Sequence, residues 1–217
     1  MIELKTTSCR TYGHPEISVA VGNEIDATSL LSFFETEVQR GRRFESEETV
    51  QIGWMLVTLR RNAAKDLEVW EPQFDSLPIR WTKGASNTFR HLILQKSVCE
   101  QLGCEPDFPS LQQAGVVSPA YLEASDGFTM SRDTSSNNDS GWVFAVPNER
   151  ISEAEGEFRS LFEICFYHTE VIAFLALPSG AVVVKTKGRI ETSATGRTLT
   201  SDNNELLQKL ASSPVLV

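Results

Sequence analysis

What this sequence lacks narrows it first. The opening stretch MIELKTTSCR carries no apolar core of the kind a secretion leader needs. No apolar run approaches the roughly 20 residues of a membrane-spanning helix. Those absences point to the cytoplasm. Histidine is scarce, and His14, His91 and His168 lie far apart with no recurring spacing. There is no phosphate-cradling glycine loop, nucleophile elbow or HExxH helix, so no familiar catalytic signature supports an enzyme. Four cysteines, Cys9, Cys99, Cys104 and Cys165, fit free thiols better than a disulfide frame. Basic residues are also in deficit, 20 Lys and Arg against 29 Asp and Glu, for a formal charge of −9. That balance opposes general binding to nucleic acid or to anionic membranes and favours a basic partner.

What is present reads as α+β, two small modules, each a mainly antiparallel sheet with one or two packed helices. The expected boundaries are a first module over 1–105, a linker over 106–118 and a second module over 119–217. The linker is placed on Pro106, Pro109, Gly115 and a lack of periodicity. In the first module a strand over Ile17–Val21 precedes a helix capped by Asp26 or Thr28, with Leu30, Leu31, Phe33, Phe34 and Val38 on one side. Val50 to Leu59 alternates with apolar residues on both faces, the pattern of a covered central strand. Leu67 to Trp70 is a return strand. A second helix runs from about Thr88 to Leu102, capped by Ser86 or Asn87, with Phe89, Leu92, Ile93, Val98 and Leu102 as its apolar face.

The second module centres on Gly127 to Glu149. Phe128 and Met130 alternate with Thr129 and Ser131, Trp142, Phe144 and Val146 recur at every second position after the loop, and Asp133 to Ser140 between them contains no apolar side chain. This is a strand, a polar loop and a strand, the loop being a place to meet a partner. Phe158 to His168 suits a helix. Val171–Leu177 and Ala181–Lys185 suit strands joined at Pro178-Ser179-Gly180, and a last helix spans about Asn203 to Leu210. Residues 1–105 hold 12 basic and 15 acidic residues, net −3, whereas 106–217 hold 8 and 14, net −6. The second module is therefore the better place to dock a basic surface.

Candidate chemistry is thin. Cys165 and His168, three apart, could pair as thiol and imidazole on a helix, but no oxyanion motif accompanies them. Cys99, Cys104 and His91 lack the fourth ligand and the close spacing of a zinc site. Asp133, Ser135, Asn137 and Asp139 imitate a calcium loop, yet its sixth position is Asn138 rather than Gly and its twelfth is Phe144 rather than Glu. A solvated loop bonding its own backbone explains them better, and no cofactor is expected. Glu153, Glu155 and Glu157 read as a solvated acidic strip. Trp142, at the loop edge, can anchor an interface or pack beneath the hairpin.

A Gly127-Phe128 strand with Arg132, then Asp139-Ser140-Gly141-Trp142 with Phe144, and later Leu177-Pro178-Ser179-Gly180 together resemble an immunity-protein domain of bacterial polymorphic toxin systems, over roughly residues 115–190. Asp-Ser-Gly-Trp is the most specific part. The chain as a whole resembles the TsiT-type immunity proteins of type VI secretion, whose effector is nuclease-like. The resemblance implies a non-catalytic protein that binds and blocks a toxin with a basic active-site surface. Partner-binding candidates on that reading are Asp126, Asp133, Asp139, Trp142, Glu149, Glu153 and Glu155. The rival is a small-molecule or ion-binding regulatory module with the Asp133–Asp139 loop as its ligand site.

Overall fold

The computed structural model describes residues 1–123, 127–149 and 156–212. The chain is α+β and divides into two compact units, Met1–Leu92 and Ile93–Val217. In chain order the first part supplies β1 (Ile2–Lys5), β2 (Ile17–Val21), α1 (Thr28–Gln39), β3 (Thr49–Ile52), β4 (Met55–Arg61), β5 (Leu67–Gln73), β6 (Arg80–Lys83) and α2 (Ser86–Leu102). Next come β7 (Ala114–Val117), β8 (Phe128–Arg132), β9 (Asp139–Ala145), β10 (Glu157–Ser160) and α3 (Leu161–Tyr167). The chain ends with β11 (Val182–Thr186), β12 (Arg189–Ala194), β13 (Arg197–Thr200) and α4 (Glu205–Ser212).

The first sheet has the order β1-β2-β5-β4-β3, with β6 also on β5, and only the β2–β5 pairing is parallel. Alternation puts Val57, Leu59 and Val69 into a core with Val19 and Val21, and α1 covers it through Leu30, Phe34 and Val38. The N-cap of α1 is Ala27 rather than the expected Asp26 or Thr28, and the Asp26 carboxylate just before it accepts from the Thr28 amide at 2.8 Å. The segment Val50–Leu59, expected as one strand, is instead a hairpin, β3 and β4. Gly53, at φ 60°, makes the left-handed reversal that a strand reading of apolar alternation overlooks.

Helix α2 supplies its first turns to one unit and its remainder to the other. Its cap differs from the expected Ser86 or Asn87. The Glu71 carboxylate, from β5, accepts from the Asn87 and Thr88 amides at 3.1 and 2.7 Å, and from the Thr88 hydroxyl at 2.9 Å. Its expected apolar face is also shifted, because Ile93 is exposed whereas His91 and Gln95 are buried. Each of these polar side chains has a partner at one polar atom, which offsets part of the cost of burial, while His91 Nε2 and Gln95 Oε1 have none among the described residues. Trp54 Nε1 donates to His91 Nδ1 at 3.3 Å, and Gln95 Nε2 donates to the Ile172 carbonyl at 2.8 Å.

The second sheet has seven strands in the order β10-β7-β9-β8-β11-β12-β13, antiparallel throughout except for β7 beside β9. The stretch 106–118, expected as a linker, therefore carries a strand paired on both sides, and Pro106 and Pro109 precede it rather than forming a spacer. Buried Val117, Phe144, Met130, Val183 and Thr192 occupy one continuous row on the core face. Against them lie α3 and a 3-10 segment, Thr169–Phe174, where a strand over Val171–Leu177 was expected. Val171 to Leu177 is apolar at every position and wholly buried, so its sequence carries no period to distinguish coil from strand. The helix expected from Phe158 begins at Leu161, because the extended Ser160 caps it, its hydroxyl accepting from the Glu163 amide at 3.2 Å. Leu207 and Leu210 of α4 are buried beside β12 and β13.

Candidate partner-binding site at the 133–141 hairpin

The polar interval between β8 and β9 is built from its own backbone outward. Gly141, at φ 76°, lies so close to the Asp133 carbonyl that a Cβ would not fit. Asp133 N donates to the Gly141 carbonyl at 2.8 Å, and Ser136 N to the Asp139 carbonyl at 2.9 Å. One carboxylate oxygen of Asp133 accepts from the Thr134 amide at 2.7 Å, and one of Asp139 accepts from the Gly141 amide at 2.9 Å. These are the local side-chain to backbone bonds expected of such a loop. Gln113, just before β7, ties the loop down by donating Nε2 to the Ser136 carbonyl at 2.9 Å. Ala114 N donates to the Asn138 carbonyl at 2.8 Å, and the Ser140 hydroxyl to the Ala114 carbonyl at 2.7 Å.

Beneath the loop sits Arg132, buried at the end of β8. Its guanidinium donates to the carbonyls of Ser140 (3.1 Å), Asp107 (2.6 Å) and Leu177 (2.5 Å) and pairs with the Asp107 carboxylate at 3.2 Å. Burial lowers its pKa from the ordinary arginine value, opposed by the Asp107 charge. Of the two readings of Trp142, partner-binding anchor or packing beneath the hairpin, the structure takes the second, because the side chain is 0% exposed. Its indole Nε1 donates to the Leu175 carbonyl at 3.0 Å, so the ring packs under the hairpin and offers no surface to a partner.

The acidic candidates separate. Asp133 is exposed and Asp139 half-buried, and both line one recess of about 80 Å³ with Val116, Thr134, Gly141 and Val143. Neither has an ion-pair partner among the described residues. Glu149 lies beyond the opposite end of β9, closing a turn by accepting from the Val146 amide at 3.2 Å. Asp126, Glu153 and Glu155 lie outside the described residues. Sequence reasoning missed Gln113 altogether; a glutamine just before an unrecognised strand gave no signal.

The alternative chemistries find little geometry. Cys165 is fully buried, which pushes its thiol well above the ordinary range, and the nearby Glu170 charge raises it further. A nucleophile needs the opposite shift. His168 faces Glu170, with Nδ1 3.8 Å from the carboxylate, and its ring centroid lies 4.5 Å from that of Tyr121. All four cysteines are free, as expected. Among the described residues no group of three or more His, Cys, Asp or Glu is placed to hold a metal ion, and no helix is long and apolar enough to cross a membrane.

The second unit is thus a seven-stranded, mainly antiparallel sheet that carries helices on one face and presents a tied-down polar hairpin. Residues 94–195, from within α2 to just past β12, match the family model described as the Imm33-like domain. That match indicates an immunity-protein-like domain over this span. No curated protein and no solved structure matches the chain.

Proposed function

We propose that this protein is an immunity protein that binds a cognate secreted bacterial toxin and neutralises it, the toxin being a nuclease effector of type VI secretion. The match of residues 94–195 to the Imm33-like domain carries this reading. The charge of the chain supports a nuclease as the target. Nucleases present basic surfaces to their substrate, and residues 106–217 bring a net charge of −6. An inhibitor of opposite sign is steered into encounter and reaches its target faster. Asp133 and Asp139 are the described acidic candidates that stand together on the loop, with Glu149, Asp126, Glu153 and Glu155 as further contacts. The protein acts by covering the toxin, without catalysis, inside the producing cell.

Co-expression with candidate nuclease effectors tests this, with purification through a tag on this chain. Survival of the cells together with a stoichiometric complex is expected. Loss of viability without a complex, repeated across candidate toxins, overturns it.

A further inference from the structure

One face of the second sheet is core; the other is partly exposed, with Phe158 and Val182 exposed, Val143, Ser131, Thr129 and Val184 half-buried and Val116 and Ala145 buried, and its composition is unusual for a wet surface. Residues paired across strands share a face. One row on that side therefore runs from Phe158 through Val116, Val143, Ser131 and Val182 to Ser193. Its neighbour runs through Ala145, Thr129 and Val184 to Glu191. Phe158 is 60% exposed and Val182 38%. A solvated sheet face ordinarily alternates to charged and strongly polar residues. From β10 to β11 these two rows hold valine, threonine, serine, alanine and one phenylalanine, and the first charge in them is Glu191 on β12. At the hairpin end the same face continues into Asp133, two residues beyond Ser131, and Asp139, four before Val143, which line the recess that Val116 and Val143 also border.

We propose, resting on the immunity reading, that this partly exposed face is the toxin-docking surface. Its occupant is a protein surface with an apolar patch edged by a lysine or arginine, the cation seated between Asp133 and Asp139. The uncharged stretch of these rows costs little to desolvate, and exposed apolar area of this kind is characteristic of interfaces. The recess of about 80 Å³ exceeds the roughly 30 Å³ share of one water, so a cationic head group displaces a few waters on entering. Each carboxylate spends one oxygen on its own loop, which fixes its direction before a partner arrives.

Benzamidine, a cation on an apolar ring, is the probe for the full chain. Amide NMR titration at millimolar concentration is expected to shift Asp133, Asp139, Gly141 and Val143, and the shifts should vanish in the double variant Asp133→Asn, Asp139→Asn. Shifts confined elsewhere, or none, overturn the cation site whether or not a toxin is in hand. In the complex obtained by co-expression, Val143→Glu and Val182→Glu are each expected to weaken binding at least tenfold while leaving the thermal midpoint within a few degrees. Unchanged affinity in both overturns the docking face and leaves the immunity reading standing. Failure of every toxin to bind the wild-type chain overturns that reading instead.

Discussion

The guanidinium of Arg132 lies 5.7 Å from the centre of the Trp142 ring, and the two side chains donate to backbone carbonyls two residues apart, Leu177 and Leu175. Together they fasten the base of the hairpin to the buried segment that follows the 3-10 turn. Arg132→Ala leaves three carbonyls without their donor, at about 1–3 kcal/mol for each that stays buried and unsatisfied, while the half-exposed Asp107 carboxylate is left to solvent. Trp142→Phe loses one buried bond and costs about 1–3 kcal/mol. Urea unfolding of both variants and of the double variant measures this. The double is expected to lose less than the sum, because the residues share one anchor.

Glu71 acts as the cap of α2 from another element. Replacing it with alanine removes the acceptor of two helix amides, and a loss of about 1–2 kcal/mol is expected. Glu71→Gln keeps one acceptor oxygen and should lose less. Thermal midpoints of the two variants decide it.

Burial holds the pKa of His91 down to about 4, from a usual value of 6.5, and the charge of Arg90 adds to that. The unfolded chain takes up this proton near pH 6.5 and the folded chain only near 4. Between those values the unfolded state binds more protons, so this stability is present above 6.5 and is lost as pH falls toward 4. His91→Asn retains an acceptor for Trp54 and removes the titration. Its urea midpoint is expected to fall less than that of the wild type between pH 7 and 4.5.

Thiol reactivity should follow exposure. Cys104 is half-buried, while Cys9, Cys99 and Cys165 are buried, and burial raises Cys99 to about 12. Brief alkylation of the native protein near neutral pH, read by peptide mass, is expected to label Cys104 first. Labelling of Cys165 ahead of it would revive a thiol hydrolase.

The sequence made some of this visible and hid the rest for identifiable reasons. Helix α1, the β8–β9 hairpin and the Pro178–Gly180 turn were legible because periodicity and turn residues agreed. The β3–β4 hairpin was hidden because both strands carry apolar residues on both faces and only Gly53 marks the turn. Strands β12 and β13 went unread because their alternation is of hydroxyls and charges, although Gly188 and Gly196, both at positive φ, punctuate them. Trp142 was ambiguous because loop proximity in sequence says nothing about the direction of a ring. The acidic loop could be located from composition, but the valine and hydroxyl rows required the strand register, which pairs residues far apart in the chain.

The position of β7 also governs how this molecule comes into being. Both of its neighbours, β9 and β10, leave the ribosome after it, the second about 40 residues later. Until then Val116 and Val117 are an unsatisfied edge in a nascent chain, the kind of surface that invites aggregation and that chaperones cover. The second sheet is complete only once β13 has been synthesised. A half-made copy therefore has no assembled second sheet, and each of its cross-strand rows exists only in the finished fold.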